Sequence, residues 1–476
     1  MSSVSTIIKS IQKIMRKDTG VDGDAQRISQ LVWMIFLKIF DAKESEWEIL
    51  DDNYVPVIPQ HLRWSEWAEN DEGMTGDELI DFVNNKLFKE LKNIRVKNKN
   101  DIKPLIVRSV FEDSHNYMKS GTLLRQVINK LNEINFDTQT DRHLFNDIYE
   151  SILKDLQSAG NAGEYYTPRA VTQFMVDMID PQLGEIVLDF ACGTGGFLVG
   201  AVEHLKKQQQ NVEDILTLQN TIMGVEKKQL PFSLCMTNLI LHDFDEPNIK
   251  HGNLLTTKLS DIKPKDQVDI ILTNPPFGGD EEDGIDINFP QKYRTKETAD
   301  LFMALLMHKL KDTGRAAIVL PDGFLFGEGV KTNIKQELLN NFNVHTIVRL
   351  PNGVFAPYSD INVNLIFIEK GEPTKDIWYF EHPLPEGYKK YTRTKPVQLS
   401  EFELEKLWWN HRKENEYAWK VSGQEIKERN YNMEFKNPNQ EIEDVILPPD
   451  EILKRLHVSM NKSNEILEEI EGILND

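Results

Sequence analysis

Apolar residues recur at three-to-four spacing through Ile7, Ile8, Ile11, Ile14 and Met15, and again from Ile28 through Phe40. That spacing puts them on one face of a helix. Asp24 stands where the second helix would be capped, and further helical patterns cover Leu79 to Leu91 and Leu123 to Leu131, with polar turns such as Asn70-Asp71-Glu72-Gly73 nearby. Residues 1–155 therefore read as an N-terminal helical domain. From about 160 the pattern changes to short β-rich runs alternating with helical ones, the sign of βαβ units and a mostly parallel sheet. The predicted strands are Ile186–Phe190, Ile222–Glu226, Val268–Thr273, Arg315–Leu320, Thr346–Leu350 and Val363–Glu369. Predicted helices between them cover about Phe197–Lys207, Pro231–Leu241, Leu301–Lys311 and Val330–Asn340. This is a doubly wound α/β domain, expected over 156–415. Residues 416–476 read as a polar helical tail, since 401–476 carry 18 Asp plus Glu against 10 Lys plus Arg.

The most apolar run, Leu31 to Phe40, contains Lys38 and is half the ~20 residues a membrane span needs, so it predicts a buried helix and no membrane. Nothing at MSSVSTIIKS resembles a secretory signal. Two cysteines, Cys192 and Cys235, exclude a disulfide framework, and no Cys/His cluster has metal-ligand spacing. A reducing cytoplasm fits. Fifty-five Lys plus Arg against 76 Asp plus Glu leave a net charge of −21, which disfavours non-specific attraction to DNA phosphates by the chain as a whole. Any nucleic-acid role must be local or shared with a partner.

Two constellations carry chemistry. In the first, Leu188-Asp189-Phe190-Ala191-Cys192-Gly193-Thr194-Gly195-Gly196-Phe197, a strand ends in an acid and passes through a small-residue turn into a helix. Glycines let backbone approach a ligand, and this turn lies at the carboxyl end of the first strand, where open α/β sheets bind ligands. The loop is not GxGxxG, and Glu226, about thirty positions on, ends the next strand where a carboxylate accepts from ribose hydroxyls. A nucleoside cofactor without pyrophosphate fits better than NAD, although a tight turn with no ligand explains the loop alone about as well. In the second, Ile270-Ile271-Leu272-Thr273 runs into Asn274-Pro275-Pro276-Phe277. Each proline fixes its own φ and extends the residue before it, so the Asn side chain and neighbouring carbonyls are held as rigid acceptors able to grip an amine. Phe277 adds a face for a planar base. A strand end merely capped by prolines is the bland alternative, and it weakens once both constellations occur together. Cys192 has no histidine at catalytic spacing, and His242, His251 and His308 receive no role.

In order and spacing, the glycine loop followed by Asn274-Pro275-Pro276-Phe277 resembles the amino-group DNA methyltransferases that use S-adenosylmethionine. Gly163-Glu164-Tyr165-Tyr166-Thr167-Pro168-Arg169, Gly252-Asn253 and Leu350-Pro351-Asn352-Gly353-Val354-Phe355 narrow the likeness to the modification subunits of type I restriction-modification systems, over nearly the whole length. The resemblance implies a Rossmann-like S-adenosylmethionine-dependent methyltransferase sheet with an N-terminal all-helical domain and a C-terminal helical tail. It implies that Glu164, Tyr165, Tyr166, Thr167, Pro168 and Arg169 line the cofactor site with Asp189, Gly193, Thr194, Gly195 and Gly196, that Glu226 holds the ribose, and that Asn253 sits beside the cofactor's adenine. Asn274 to Phe277 would receive the target base, and Asn as the first residue favours adenine N6 over cytosine N4. DNA and a separate specificity subunit are the implied partners, two copies of this chain to one specificity subunit, with a restriction subunit as a third component left open.

The N6 amine of adenine is a poor nucleophile because its lone pair is delocalised into the ring. If Asn274 Oδ1 and the Pro275 carbonyl accept its two hydrogens, they favour a pyramidal nitrogen, which is catalysis by positioning and electrostatics without a metal. The base must leave the duplex, with Phe277 and Tyr165 or Tyr166 replacing lost stacking. The polar stretch from Gly278 to about 299 is expected to be a lid. Ile452, Leu456, Met460, Leu467, Ile470 and Leu474 share a helical face suited to docking on a specificity subunit. Nothing resembles a target-recognition domain: there is no aromatic-rich basic insertion and no basic tail. The competing readings are a self-sufficient adenine DNA methyltransferase, an enzyme acting on a protein glutamine or an RNA base, and a methyltransferase-fold scaffold without turnover.

Overall fold

Side chains of the central strands alternate between two hydrophobic cores. Ile270, Leu272, Ala317, Val319, Leu365 and Phe367 enter one, and Ile271, Ala316, Ile318, Leu320, Ile366 and Ile368 enter the other. A sheet buried on both faces needs near-continuous apolar strands, which Ala316-Ala317-Ile318-Val319-Leu320 supplies. The computed structural model describes residues 4–96, 101–134, 167–276, 278–356 and 361–439 and short helical stretches between 453 and 464. Its nine strands are β1 (Val187–Asp189), β2 (Ile222–Glu226), β3 (Asn248–His251), β4 (Val268–Thr273), β5 (Leu310–Pro321), β6 (Phe342–Leu350), β7 (Val363–Lys370), β8 (Asp376–Glu381) and β9 (Ala418–Ser422). They form one sheet in the order β3-β2-β1-β4-β5-β7-β6-β8-β9. β3 through β5 are parallel neighbours, β7 is antiparallel to both β5 and β6, β8 is parallel to β6, and β9 is antiparallel to β8.

Helices of eight residues or more among the described residues are α1 (Val4–Met15), α2 (Asp24–Leu50), α3 (Ile102–Glu112), α4 (Gly121–Asn132), α5 (Arg169–Ile179), α6 (Gly196–Lys206), α7 (Val212–Gln219), α8 (Gln229–Leu241), α9 (Thr298–Lys309) and α10 (Val330–Asn341). The apolar run Leu31 to Phe40 lies inside α2 and is buried. Its one charge, Lys38, donates to the Leu131 and Ile134 carbonyls at 2.8 and 2.7 Å, at the carboxyl end of α4, where a helix dipole favours a cation. Asp24 is not the cap expected from sequence. Gly23 takes that position and Asp24 is the first helical residue, where its carboxylate pairs with Arg27 one turn on. The single helix expected over Leu79–Leu91 is interrupted by a π-helical segment, Phe82–Leu87. Among the described residues no helix is long and apolar enough to cross a membrane.

The N-terminal helices and the sheet belong to one unit, residues 1–435. Gln229 at the start of α8 donates to the Ser109 and Val110 carbonyls, and Lys43 of α2 pairs with Asp243 at 2.8 Å. The expected boundary at 155 falls outside the described residues. The one at 415 cuts through the sheet, because Ala418–Ser422 pairs with β8 and Trp419 stacks on Tyr379 at 5.3 Å, so the tail begins later than the sequence suggested. Residues 436–476 form a second unit, in which Leu453, Leu456 and Met460 are exposed on helical stretches; Ile452, Leu467, Ile470 and Leu474 of the expected seam lie outside the described residues.

Candidate active site

The parallel strands β1, β2 and β4 end side by side, and each delivers one polar side chain to the same place. Asp189 ends β1, Glu226 ends β2, and Asn274 follows Thr273 at the end of β4. The turn after β1 closes through Gly195 N–H to the Cys192 carbonyl at 2.7 Å, with Gly193 at φ +52° and Gly195 at +84°. Glycine takes such angles at the least cost, and a Cβ on Gly195 would lie 2.8 Å from Cys235 Sγ. Both thiols are buried and 3.9 Å apart, and the Cys192 thiol is pushed up by its neighbour Cys235 and by burial, which suits a packing residue and not a nucleophile.

Glu226 is tied to this turn: one carboxylate oxygen accepts from Gly193 N–H at 2.9 Å and the other from Lys228 N–H at 2.7 Å. Burial outweighs these bonds and raises its pKa. Asp189 Oδ1 accepts from the Thr273 hydroxyl at 2.8 Å and Ala191 N–H at 3.1 Å, which couples β1 to β4. Burial, with Glu226 nearby, pushes Asp189 up to about 7. Asn274 Nδ2 donates to Thr167 Oγ1 at 2.9 Å, just ahead of α5, while its Oδ1 is buried with no hydrogen-bond partner. Asn253, after β3, accepts from Leu255 N–H and donates to Glu281 at 3.0 Å.

Of the residues expected from sequence, Thr167, Arg169, Asp189, Gly193, Thr194, Gly196, Glu226, Asn253, Asn274 and Pro276 line one pocket. Pro168, Gly195 and Pro275 do not. Pro168 precedes α5 and lines a neighbouring groove, Gly195 turns the backbone behind the pocket, and Pro275 is buried. Glu164, Tyr165, Tyr166 and Phe277 lie outside the described residues. The sequence reading missed Phe302, stacked on Phe190 at 5.0 Å, and Asn238, 2% exposed within apolar α8. Asn238 donates to the Thr194 carbonyl at 3.2 Å and, like Asn274, keeps a buried Oδ1 without a partner. An asparagine in the middle of a largely apolar helix was the available signal. The 278–299 segment contributes Glu281 to the pocket. The segment is fastened at both ends by Glu281 N–H to the Lys296 carbonyl and Thr298 N–H to the Gly279 carbonyl, with Phe289 and Tyr293 buried.

A doubly wound sheet with acids ending its first two strands, a glycine turn between them and Asn-Pro-Pro after the fourth defines a Rossmann-like methyltransferase. Residues 140–444 match the family model for N-6 DNA methylases and residues 4–131 that for the HsdM N-terminal domain. The chain is 54% identical to the EcoEI methylase subunit of an Escherichia coli type I restriction enzyme, over 99% of this chain and 98% of that one. A crystal structure of a modification subunit from Vibrio vulnificus YJ016 superimposes with a TM-score of 0.84 at 46% identity, over 91% of this chain and 96% of that one. A chain from a structure of the assembly and conformational transition of a type I restriction-modification system gives 0.81 at 37% identity, over 100% and 98%. The chain belongs to the N-6 DNA methylase family, among the methylase subunits of type I restriction enzymes.

Proposed function

We propose that this pocket holds S-adenosylmethionine and a flipped adenine, and that the chain transfers the methyl group to the adenine N6 amine in DNA at sites chosen by a separate specificity subunit. The observation that carries the reading is that two buried amide oxygens without a donor and two carboxyl groups of raised pKa line the same pocket. Asn238 and Asn274 each keep a buried carbonyl oxygen without a donor, and Asp189 and Glu226 are carboxylates held above their ordinary pKa. Such groups fit ligands that bring donors and positive charge: an ammonium, a sulfonium, ribose hydroxyls and an exocyclic amine.

The cofactor supplies an activated methyl group when bound. Glu226, fixed by two backbone N–H groups, is the ribose acceptor; Asp189 and Asn238 face its cationic portion; Asn253 flanks its adenine; Gly193 to Gly196 leave room for it. Glu164, Tyr165, Tyr166 and Arg169 complete the expected cofactor-side set, with Pro168 starting the helix that carries Arg169. Asn274 Oδ1 and the Pro275 carbonyl accept the two amine hydrogens of the target, so its lone pair is released from the ring without a covalent intermediate. Thr167 holds the Asn274 amide so that the oxygen stays available. Pro276 stiffens the segment and Phe277 stacks on the base. The 436–476 unit, with apolar Leu453, Leu456 and Met460 exposed, is the segment we assign to docking on the specificity subunit, in a complex of two copies of this chain to one.

The test is a map of N6-methyladenine in DNA from a host lacking that mark, expressing the chain with and without the specificity protein encoded beside it. Methylation at a split site only with the partner is expected. Methylation by the chain alone would mean a self-sufficient enzyme, and none in either case would overturn the reading.

A further inference from the structure

The stretch Lys389-Lys390-Tyr391-Thr392-Arg393-Thr394-Lys395 holds four cations and no acid, in a chain of net charge −21. It is too short to be a base-reading domain, and the sequence pattern did not single it out. In the structure it is a fixed turn. Thr392 and Lys395 exchange backbone N–H···O bonds of 3.1 and 3.0 Å. Tyr391 is fully buried, its hydroxyl donates to Glu401 at 2.8 Å, and its N–H donates to the Asn352 carbonyl at 3.1 Å. Gly353, at φ +82°, lies so close beneath that a Cβ there would be 2.1 Å from the Tyr391 carbonyl oxygen. One inward tyrosine thus pins the turn while Lys389, Lys390, Arg393 and Lys395 are exposed.

Elsewhere in the chain, cations such as Lys43, Lys227, Lys331 and Lys406 are each matched by carboxylates. Among the described residues no carboxylate pairs with Lys389, Arg393 or Lys395; Lys395 Nζ instead lies 4.6 Å from the Tyr388 ring centre. Arg393 lines a groove with Pro168, Arg169, Val354 and Leu399, and the acid in that groove, Glu203, is paired with His242 at 3.3 Å. Arg169, Gly196 and Asn238 line both this groove and the pocket of Asn274. Unmatched positive charge on a rigid turn next to the reacting centre draws phosphodiesters over roughly a Debye length, about 10 Å, and each phosphate it neutralises releases a counterion.

We propose that the 389–395 turn grips the DNA backbone beside the flipped adenine, so that this acidic chain contributes its own sequence-independent hold on the duplex. The proposal rests on the reading of the pocket as a DNA adenine site. The test uses the chain assembled with its specificity protein and a fluorescent DNA duplex carrying the mapped site, with anisotropy read from 50 to 400 mM salt. In the triple variant Lys389→Gln, Arg393→Gln, Lys395→Gln, the slope of log affinity against log salt should flatten by about 2 to 3, at roughly 0.9 per phosphate contact. Cofactor affinity by calorimetry should stay within twofold. The control carries the same charge change at the amino ends of β4 and β8, away from the pocket: Lys263→Gln, Lys265→Gln, Lys375→Gln. A wild-type slope in the turn variant, or the same flattening in the control, overturns the proposal while leaving the methyltransferase reading intact. A wild-type complex that neither binds nor methylates the duplex overturns both.

Discussion

Replacing Asn274 with alanine separates what this residue does for the fold from what it does for the reaction. The substitution removes the Nδ2 donation to Thr167 Oγ1 at 2.9 Å, a neutral hydrogen bond worth about 0.5 to 1.5 kcal/mol. It also removes an Oδ1 that is buried without a partner, which relieves a desolvation cost of about 1 to 3 kcal/mol. The two offset, so the variant should be as stable as the wild type or more stable by up to about 2 kcal/mol. Turnover has no such compensation. An acceptor aimed at the developing charge is worth about 10²- to 10³-fold, roughly 2.7 to 4 kcal/mol. Urea unfolding gives the first number, single-turnover methyl transfer to DNA by the assembled complex gives the second, and calorimetry should find cofactor affinity unchanged. A variant that loses more than about 2 kcal/mol of stability and keeps turnover within tenfold would show that Asn274 is a structural tie, and the assigned role would fail. Thr167→Val is the companion: it keeps the acceptor but frees the amide, and should cost only about tenfold, the usual worth of one hydrogen bond.

Burial holds Asp189 at about 7 against an ordinary 3.8, so the folded state keeps a proton that the unfolded chain has given up, and this contribution to stability is lost as pH rises from about 4 through about 7. A cationic ligand binds the ionised form and should release a proton at pH 6 and progressively less above 7, seen by calorimetry in buffers of different ionisation enthalpy; release that persists in Asp189→Asn would place the titration elsewhere. Gly195→Ala, at φ +84° with Cys235 Sγ 2.8 Å from the new Cβ, should lower thermal stability by more than the about 1 to 2 kcal/mol of a left-handed alanine, and adding Cys235→Ala should recover only the steric part. Glu226→Gln can keep only one of the two N–H bonds from Gly193 and Lys228, and should weaken cofactor binding about 10- to 100-fold; a loss under threefold would remove Glu226 from the ribose site. Cys192→Ala should keep turnover within about tenfold, since the thiol packs against Cys235 and Gly224 in the pocket wall, and loss of turnover with the cofactor still bound would revive a chemical role for it.

Where local pattern and tertiary role coincide, the sequence was legible. β2 and β4 start and stop where their apolar runs do, and the glycine turn and Asn-Pro-Pro are contiguous along the chain. β3 escaped notice because only Ile249 of its four residues is buried, too little for an alternating pattern. β8 and β9 were missed for a different reason: their inward residues, such as Tyr379 and Trp419, stack mainly on each other at the sheet's edge, amid polar sequence. Asp24 looked like a cap because side-chain type alone does not reveal that the backbone turns one residue earlier, at Gly23. Asn238 and Glu281 reach the pocket only through tertiary packing, one from the middle of an apolar helix and one from a segment whose acidity read as solvation. The 389–395 turn has no motif or periodicity to mark it, and the net charge of the whole chain masks a local run of four cations.

Two buried amide oxygens without a donor and two carboxyl groups of raised pKa lie around one pocket, and each costs the folded state something. A buried acceptor without a donor and a carboxylate held above its ordinary pKa both weaken the folded state, and Asn238, Asn274, Asp189 and Glu226 place four such groups around a single space. Buried acceptors without a side-chain or backbone donor occur elsewhere among the described residues, at Asn116, Asp300 and Asn364 for example, but here they line one pocket beside two raised carboxyl groups. Around that pocket the neighbouring groups hold the side chains by one end: Thr167 occupies only the amide nitrogen of Asn274, Thr194 only that of Asn238, and backbone N–H groups fix the Glu226 oxygens without neutralising them. Each arrangement orients a side chain while leaving its negative end uncompensated. The folded chain therefore carries, before any ligand arrives, the desolvation and orientation costs that binding would otherwise incur, and a ligand rich in donors and positive charge binds more tightly by that difference.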